Sequence, residues 1–496
     1  MGTDLLESGE GNKYLVVEKH LKQAINGGVY QVDDRLPSIR SLSQELSVSK
    51  NTVIRAYQEL EAQNLVYSVP KSGYRVKIAL PTSRSIPDPT RVDLLSICKE
   101  ILTYPEYQER LPAGSAHPNI DSPAIKSLYA EIGRHSRQQT HVPSHYQLPP
   151  GDHLLIKQLA KITQDLGTPA KLDEIMVTHG AQQAISLALR ATTQKGDIVA
   201  VESPCYFGNL LMLESLGLKV VEIPSCPRDG MCPEALAKAM ATWDIKAIIV
   251  TPNATIDGLF KVLFHHEVLI PFTNPTGAMM PLEKRRQLLL ASGNIPIIED
   301  DVFGGLSYNK PLPSLRLLDD KQRVIYVNSL SKTLDSRLRI GWMLAGRYRD
   351  QIEQYLLCEN MGSLNLMQSA VATFLTSGKY RTHTARMGRV YQNNMRRFIQ
   401  MLHQYLDEYE SLKNRYQINA VQGSFLLWLR LPKETDSYAL YQACNQHRIS
   451  LLPGTVFGTQ GQYRHCVRLS VANFGHETDW SHAMQTLAKL IAKHAC

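Results

Sequence analysis

Three short segments at the start of the chain carry apolar residues at helical spacing. The first covers about residues 13–26 and ends at a glycine pair. The second follows Ser38 and the third follows Ser49, because both serines can cap a helix. Two short β-rich segments then flank a Pro-Lys-Ser-Gly turn that ends at Gly73. Three helices and a two-stranded wing predict a winged helix-turn-helix.

From about Leu111 the pattern changes to apolar strands, each followed by a polar turn and an apolar helix. This repeat predicts an α/β fold with a mainly parallel sheet and helices on both faces. From about Asn365 the chain reads as helices, two short strands and a final helix, which predicts a smaller α+β domain. The strands of the sheet are predicted at residues 175–177, 198–201, 247–250, 295–298 and 324–327.

The last of these strands leads into Ser329, Ser331 and Lys332, with Arg339 seven residues later. A lysine at the carboxyl end of a central strand, beside hydroxyls and an arginine, suits a covalently held cofactor that bears a carbonyl and a phosphate. The lysine would form the imine, and the hydroxyls and the guanidinium would take the phosphate. For this stretch alone, a surface lysine in a polar loop is the alternative.

Other strand ends offer groups that fit the same cofactor. The run Gly180-Ala181-Gln182 opens a helix whose N–H groups can hold phosphate. Tyr206 offers a ring to stack, Asn274 an amide for a phenolate oxygen, and Asp300 a carboxylate for a pyridine nitrogen. Taken alone, such a residue is usually only a helix cap or a turn residue. Their appearance together, in this order along the chain, is what indicates a cofactor site.

The run from Arg35 to Leu60 resembles the DNA-binding domain of the GntR regulators. One departure is Ile54, where many members have a second arginine. A small helical protein-interaction domain is the alternative. Residues 11–80 carry ten Lys or Arg against six Asp or Glu, a net +4, which agrees modestly with a DNA partner. The resemblance implies DNA contacts from Arg40, Ser49, Lys50, Thr52, Arg55 and the wing-tip Gly73.

The body of the chain resembles the fold-type-I aminotransferases, the pyridoxal-phosphate class that includes aspartate aminotransferase. With the winged helix in front, residues 12–490 are similar to the MocR subfamily of GntR regulators. The resemblance implies that Lys332 forms the imine and that Arg468 grips an α-carboxylate. It implies a cofactor site made of Gly180, Ala181, Gln182, Tyr206, Asn274, Asp300, Ser329, Ser331, Lys332 and Arg339.

Two departures from the aminotransferase pattern bear on activity. Family members usually place a tyrosine two or three residues after the aspartate, and here those places are Val302 and Phe303. Losing that hydrogen bond should raise the pKa of the imine and weaken transamination without preventing cofactor binding. The second departure is a largely apolar insertion at residues 254–273, which is either a hairpin lid or a lineage-specific insert.

With 496 residues the chain is too long for one core. We expect a winged-helix domain at 11–80, a semi-extended linker at 81–110, a large cofactor domain at 111–365 and a small domain at 366–496. The eight cysteines are scattered and indicate neither a metal site nor a disulfide framework. The polar start and the lack of a long apolar run predict a cytoplasmic protein without a membrane segment.

These patterns favour a transcriptional regulator that binds a double-stranded DNA operator and senses pyridoxal 5'-phosphate or an amino-acid or amine effector. The alternative is a working aminotransferase with an accessory DNA-binding domain. The resemblance also implies a homodimer that reads two half-sites. Basic positions after residue 380 are expected to be a solvated helix face, with a second DNA-facing patch as the alternative; they are Arg381, Arg386, Arg389, Arg396 and Arg397.

Overall fold

The computed structural model divides the chain into two compact units, with the boundary between Ser85 and Ile86. It describes residues 13–26, 30, 34–63, 65–69, 73–77, 88–103, 111–138, 141, 145–226, 230–252, 280–307, 312–418, 423–474 and 477–495.

The first unit has the three helices and two strands that the sequence predicts. Ser38 caps the second helix, where its Oγ accepts from Ser41 N at 3.0 Å, and Ser49 caps the third in the same way through Thr52 N at 3.1 Å. The two strands pair antiparallel. The elements are α1 (Lys13–Asn26), α2 (Ile39–Glu45), α3 (Lys50–Ala62), β1 (Val66–Val69) and β2 (Gly73–Val76).

The core of the first unit lies against one face of α3. That face buries Val53, Ala56, Tyr57 and Leu60, as the helical spacing predicts. The Tyr57 hydroxyl donates to the carbonyl of Pro37 at 2.6 Å, so the start of α2 is tied to α3. The polar start of α3 is thereby left on the outside.

The second unit is built around one large sheet. The strands of the unit are β3 (Thr90–Arg91), β4 (Leu111–Pro112), β5 (Ile175–Thr178), β6 (Ile198–Ser203), β7 (Lys219–Cys226), β8 (Gly230–Met231), β9 (Ile245–Val250), β10 (Ile297–Asp300), β11 (Val324–Ser329), β12 (Gly341–Leu344), β13 (Gln417–Ile418), β14 (Leu426–Arg430), β15 (Ile449–Ser450), β16 (Leu452–Pro453) and β17 (Cys466–Ser470). The strand order of the large sheet is β3-β7-β6-β9-β10-β11-β12-β5. The pairs from β7 to β11 are parallel, while β12 is antiparallel to both neighbours.

Helices cover both faces of the large sheet. Successive side chains of β11 alternate between them: Ile325 and Val327 pack into one apolar cluster, while Val324 and Tyr326 pack into clusters on the other face. This confirms the predicted α/β class. The helices are α4 (Leu95–Thr103), α5 (Pro123–Gln138), α6 (His153–Asp165), α7 (Ala181–Thr192), α8 (Phe207–Ser215), α9 (Pro233–Thr242), α10 (Leu282–Ala291), α11 (Leu315–Leu318), α12 (Arg349–Asn360), α13 (Asn365–Thr376), α14 (Lys379–Leu406), α15 (Ser437–Gln446) and α16 (Glu477–His494).

Strand β10 begins two residues later than the apolar run at 295–298 suggests. Pairing sets its start, because Ile297 lies opposite Ile248 of β9 and Val324 of β11. As a result, Asp300 is the last residue of the strand rather than part of the following turn. The antiparallel strand β12 was not among the predicted strands, since it follows Arg339 too closely to stand out as a separate apolar run.

A smaller antiparallel sheet, in the order β13-β14-β17-β16, packs with α14, α15 and α16. Part of the predicted linker also belongs to the second unit. Thr90 and Arg91 pair with β7, Leu94 N donates to Glu214 at 3.0 Å, and Cys98 is buried. Among the described residues, no helix is long and apolar enough to cross a membrane.

Candidate functional site

The carboxyl ends of β10 and β11 bring the predicted carboxylate and lysine to one edge of the large sheet. The two strands are parallel neighbours, with Asp300 opposite Val327. Lys332 follows the end of β11 by three residues. The pair therefore meets because the strands are adjacent, although 32 positions separate the two residues in sequence.

Lys332 is partly buried, and its Nζ donates to the carbonyl oxygen of Ala116 at 2.8 Å. Burial lowers the pKa of Lys332 to about 8. The nearby Arg468 and Arg339 charges lower the same pKa, whereas Asp300 opposes them. A substantial fraction of this amine is thus neutral near physiological pH, which is what a nucleophilic lysine needs.

Asp300 is buried, and one carboxylate oxygen accepts from Val302 N at 3.3 Å. Burial raises the pKa of Asp300 to about 6, while that N–H and the charge of Lys332 act in the opposite direction. The carboxylate is therefore mainly ionised at neutral pH. The buried Asp300 carboxylate, near the partly neutral Lys332 amine, is therefore suited to stabilise a positive charge on a group bound beside it.

Gly180 lets a guanidinium approach the start of α7. Its φ is +82°, and a Cβ added there would lie 2.8 Å from Cζ of Arg339. Arg339 Nη2 donates to the carbonyl of His179 at 3.1 Å. On the other side, a Cβ at Gly341 would lie 2.7 Å from Cα of Gly180. The guanidinium of Arg339 thus lies against the backbone at the start of α7, where helix N–H groups can bind an anion.

The two serines before Lys332 are both buried. Ser331 N donates to Ser329 Oγ at 3.3 Å, and Ser329 N donates to the side-chain oxygen of Asn328 at 2.6 Å. These bonds hold the turn between β11 and the lysine. Their predicted role at a phosphate stays a prediction.

Tyr206 and Gln182 meet above Gly208. A Cβ at Gly208 would lie 2.8 Å from Cζ of Tyr206 and 3.0 Å from the amide nitrogen of Gln182. Burial raises the pKa of the Tyr206 hydroxyl, and Arg468, Asp300 and Arg339 all act on it. Tyr206, with Gln182 beside it, therefore lies near the lysine and the carboxylate. We call the surroundings of Lys332, Asp300 and Tyr206 the chamber.

Arg468 enters this chamber from β17 of the smaller sheet. The side chain is 1% exposed, and its Nη2 donates to the carbonyl of Gly114 at 2.5 Å. Its guanidinium carbon lies 5.7 Å from the centre of the Phe457 ring. Because the charge of Arg468 also lowers the pKa of Lys332, the guanidinium and the lysine amine lie close enough to repel each other.

In the first unit, the predicted DNA contacts lie on the outer side of α2 and α3 and at the wing. Arg40, Lys50 and Arg55 are exposed, and Gly73 has open space around it at φ +87°. The hydroxyls of Ser49 and Thr52 lie 2.8 Å apart at the helix start. The guanidinium of Arg55 stacks over the Tyr14 ring at 4.0 Å, so α1 orients it.

Residues 121–485 match the family of class I and II aminotransferases, and residues 13–76 match the bacterial regulatory proteins of the GntR family. The chain is 33% identical, over 91% of its length and 93% of the relative, to the uncharacterized HTH-type transcriptional regulator YjiR of Escherichia coli. It is 27% identical to the probable rhizopine catabolism regulatory protein MocR of Rhizobium meliloti, over 87% of this chain and 84% of that one. The chain belongs to the MocR subfamily of GntR regulators.

The large unit of this MocR-type protein has the fold of known aminotransferases. It superposes with a TM-score of 0.66 on LysN, an α-aminoadipate aminotransferase of Thermus thermophilus solved with N-(5'-phosphopyridoxyl)-L-leucine. That likeness covers 79% of this chain and 94% of LysN at 22% identity. By family and fold, the protein is a transcriptional regulator built from a GntR domain and an aminotransferase-like domain.

Sequence reasoning missed a short segment that crosses the chamber of this MocR-type protein. Gly114 and Ala116 supply the carbonyls that hold Arg468 and Lys332, and His117 Nδ1 lies 2.7 Å from Ser336 Oγ. The segment has no apolar period and no motif residue that could have revealed it. Pairing of β4 with β15 positions it, since Leu111 lies opposite Ile449.

A second missed feature lies beneath Asp300. The Tyr326 hydroxyl donates to Asp301, and the Asn328 amide donates to that hydroxyl at 2.8 Å. All three side chains are buried. Because Tyr326 and Asn328 lie on β11 and Asp301 follows β10, this network fixes the two strand ends relative to each other.

Phe303 occupies one of the two places where the aminotransferase pattern has a tyrosine. Its ring centre lies 5.8 Å from Nζ of Lys332, and the ring packs edge-on against Phe425 at 5.9 Å. The side chain beside the lysine is therefore apolar. Asn274 and the insertion at 254–273 lie outside the described residues. In the described part of the chain, no group of three or more His, Cys, Asp or Glu could hold a metal ion.

Proposed function

We propose that this MocR-type protein is a cytoplasmic homodimer that binds operator DNA through its GntR domain. It holds pyridoxal 5'-phosphate at Lys332 and responds to that cofactor or to an amino-acid-type effector. One observation carries the proposal: a lysine amine with a pKa near 8 lies among an aspartate and two arginines, within a fold of the aminotransferase family.

The residues present fit the cofactor. The start of α7 beside Arg339 suits a phosphate, because helix N–H groups and a guanidinium both bind anions. A Cβ at position 180 would displace that guanidinium. Asp300 suits a protonated pyridine nitrogen, and Tyr206 suits the face of the ring. When bound, pyridoxal phosphate supplies an aldehyde that condenses with amines and a ring that withdraws electrons.

Arg468 would select an effector that carries a carboxylate. The guanidinium is buried and donates to the Gly114 carbonyl at 2.5 Å. A carboxylate could replace that neutral acceptor with a charge-assisted bidentate contact. Loss of the Gly114 contact would release the segment before α5, so an effector could favour a second conformation of this segment.

DNA contact is assigned to the outer residues of α2 and α3. Lys50 and Thr52 lie in the first turn of α3, the part of a recognition helix that enters the major groove. Arg40 and Arg55 would bind phosphates on either side. Footprinting on genomic DNA, with and without pyridoxal phosphate, tests DNA binding and the response to the cofactor. A footprint that the cofactor does not change would contradict a response to the cofactor alone and leave the amino-acid-type effector.

Binding of the cofactor is tested by visible absorbance and by borohydride reduction. The wild-type protein should acquire a reducible visible band that Lys332→Ala lacks. A band of equal intensity and reducibility in the variant would show that another amine captures the cofactor.

A working aminotransferase is the second candidate. The low pKa of Lys332 and the buried Arg468 favour it, whereas Phe303 in place of a tyrosine argues for slow chemistry. A panel of amino and 2-oxo acids discriminates the two functions. Turnover at ordinary enzyme rates, roughly 1–1000 per second, would refute a pure sensor.

A further inference from the structure

Helix α14 presents a basic face that no part of the cofactor site uses. Its 28 residues include six Lys or Arg and no Asp or Glu. Arg386, Arg389 and Arg396 are exposed. At 100° per residue they lie within about 80° of one another around the helix axis. Thr382, Asn393 and Gln400 lie between them on the same face and are polar.

The opposite face of α14 explains why the basic one is outside. Met387, Tyr391, Met395 and Phe398 are buried in the core of the small domain, with α16 packed nearby. Among the described residues, no carboxylate forms an ion pair with Arg386, Arg389 or Arg396, whereas the neighbouring Arg381 pairs with Asp165 at 2.8 Å. Three cations in a row thus keep their charge available to a partner.

From this we infer that the face formed by Arg386, Arg389 and Arg396 binds the phosphate backbone of DNA, in addition to the GntR domain. Charge complementarity selects this partner. The three arginines span about 15 Å of helix, and B-DNA presents one negative charge per roughly 1.7 Å of its axis. Guanidinium groups bind phosphates bidentately, and the polar residues between them add donors without any competing acid. The inference rests on the proposed DNA-binding function.

The test is the salt dependence of DNA binding by the full chain. The triple variant R386Q/R389Q/R396Q is compared with wild type on a mixed-sequence duplex of about 60 base pairs. The matched control is K157Q/K161Q/K238Q, which removes the same charge from exposed lysines on α6 and α9. Each lost phosphate contact lowers the slope of log K against log salt by about 0.9. Between 50 and 200 mM salt, wild type should therefore lose up to ~40-fold more affinity than the triple variant.

The control should keep the wild-type slope. Equal slopes for wild type and the triple variant would overturn the inference. An equal drop of the slope in the control would also overturn it, because removing charge anywhere on the surface would then explain the effect. A changed oligomeric state in the triple variant, with an unchanged slope, would assign the face to a second copy of the chain and also overturn it. Absence of wild-type binding both to this duplex and in the genomic footprint would refute the proposed function itself, which is a separate readout.

Discussion

The pKa of Lys332 gives the sharpest test of the site. A fall from the ordinary 10.5 to about 8 means that the chamber disfavours the charged amine by about 3 kcal/mol. At pH 7 the neutral fraction is then ~9%, against ~0.03% for an ordinary lysine, a gain of roughly 300-fold. Capture of pyridoxal phosphate should accelerate with pH and level off above the pKa, because only the neutral amine attacks an aldehyde.

The midpoint of the pH dependence of cofactor capture reports the pKa of Lys332, and two substitutions should move it in opposite directions. Arg468→Gln removes a cation that lowers the pKa of Lys332, so the midpoint should rise above about 8 and capture at pH 7 should slow about tenfold per unit. Asp300→Asn removes the anion that favours the charged amine, so the midpoint should fall. Burial, the largest cause, remains in both variants.

The assay is the rate of growth of the visible band between about pH 6 and 10, with Lys332→Ala subtracted to remove capture by surface lysines. Circular dichroism checks that each variant is folded. A wild-type rate that still rises steeply at about pH 10, as it would for an ordinary lysine pKa of 10.5, would refute the burial of this amine. If both variants kept the wild-type midpoint, the charges of Arg468 and Asp300 would not reach the lysine.

Three further outcomes are expected. Gly180→Ala should weaken cofactor binding at least tenfold, because the added Cβ would lie 2.8 Å from Cζ of Arg339. The control is Gly196→Ala, at a similar φ of +96° but in open space. It should lower the free energy of unfolding by about 1 kcal/mol and leave cofactor affinity unchanged. Arg40→Ala should weaken the footprint, because it removes the proposed phosphate contact of α2, and an unaltered footprint would mean that α2 and α3 are misassigned. Ser49→Ala should destabilise the first unit by about 1 kcal/mol, because the Ser49 hydroxyl accepts from Thr52 N at 3.1 Å and caps α3. Hydrogen exchange within α3 measures this loss, and protection equal to wild type would contradict the capping role.

The sequence by itself determined the elements whose signals are local. Helix α3 needs only its own spacing and its Ser49 cap, and both are confirmed. The α/β class follows from strand, turn and helix repeating along the chain, and the family follows from residues that keep their order. Lys332 could be named because its strand, its serines and Arg339 lie within sixteen positions.

Tertiary structure decided what depends on contacts between distant segments. Asp300 is the last residue of its strand because it pairs with Val327 of β11, whereas the apolar run alone predicts that the strand ends at residue 298. The carbonyls of Gly114 and Ala116 reach Arg468 and Lys332 across 354 and 216 positions, and backbone groups leave no trace in residue identity. The pKa of Lys332 is likewise set by burial and by the charges of Arg468, Asp300 and Arg339, which the fold brings near it.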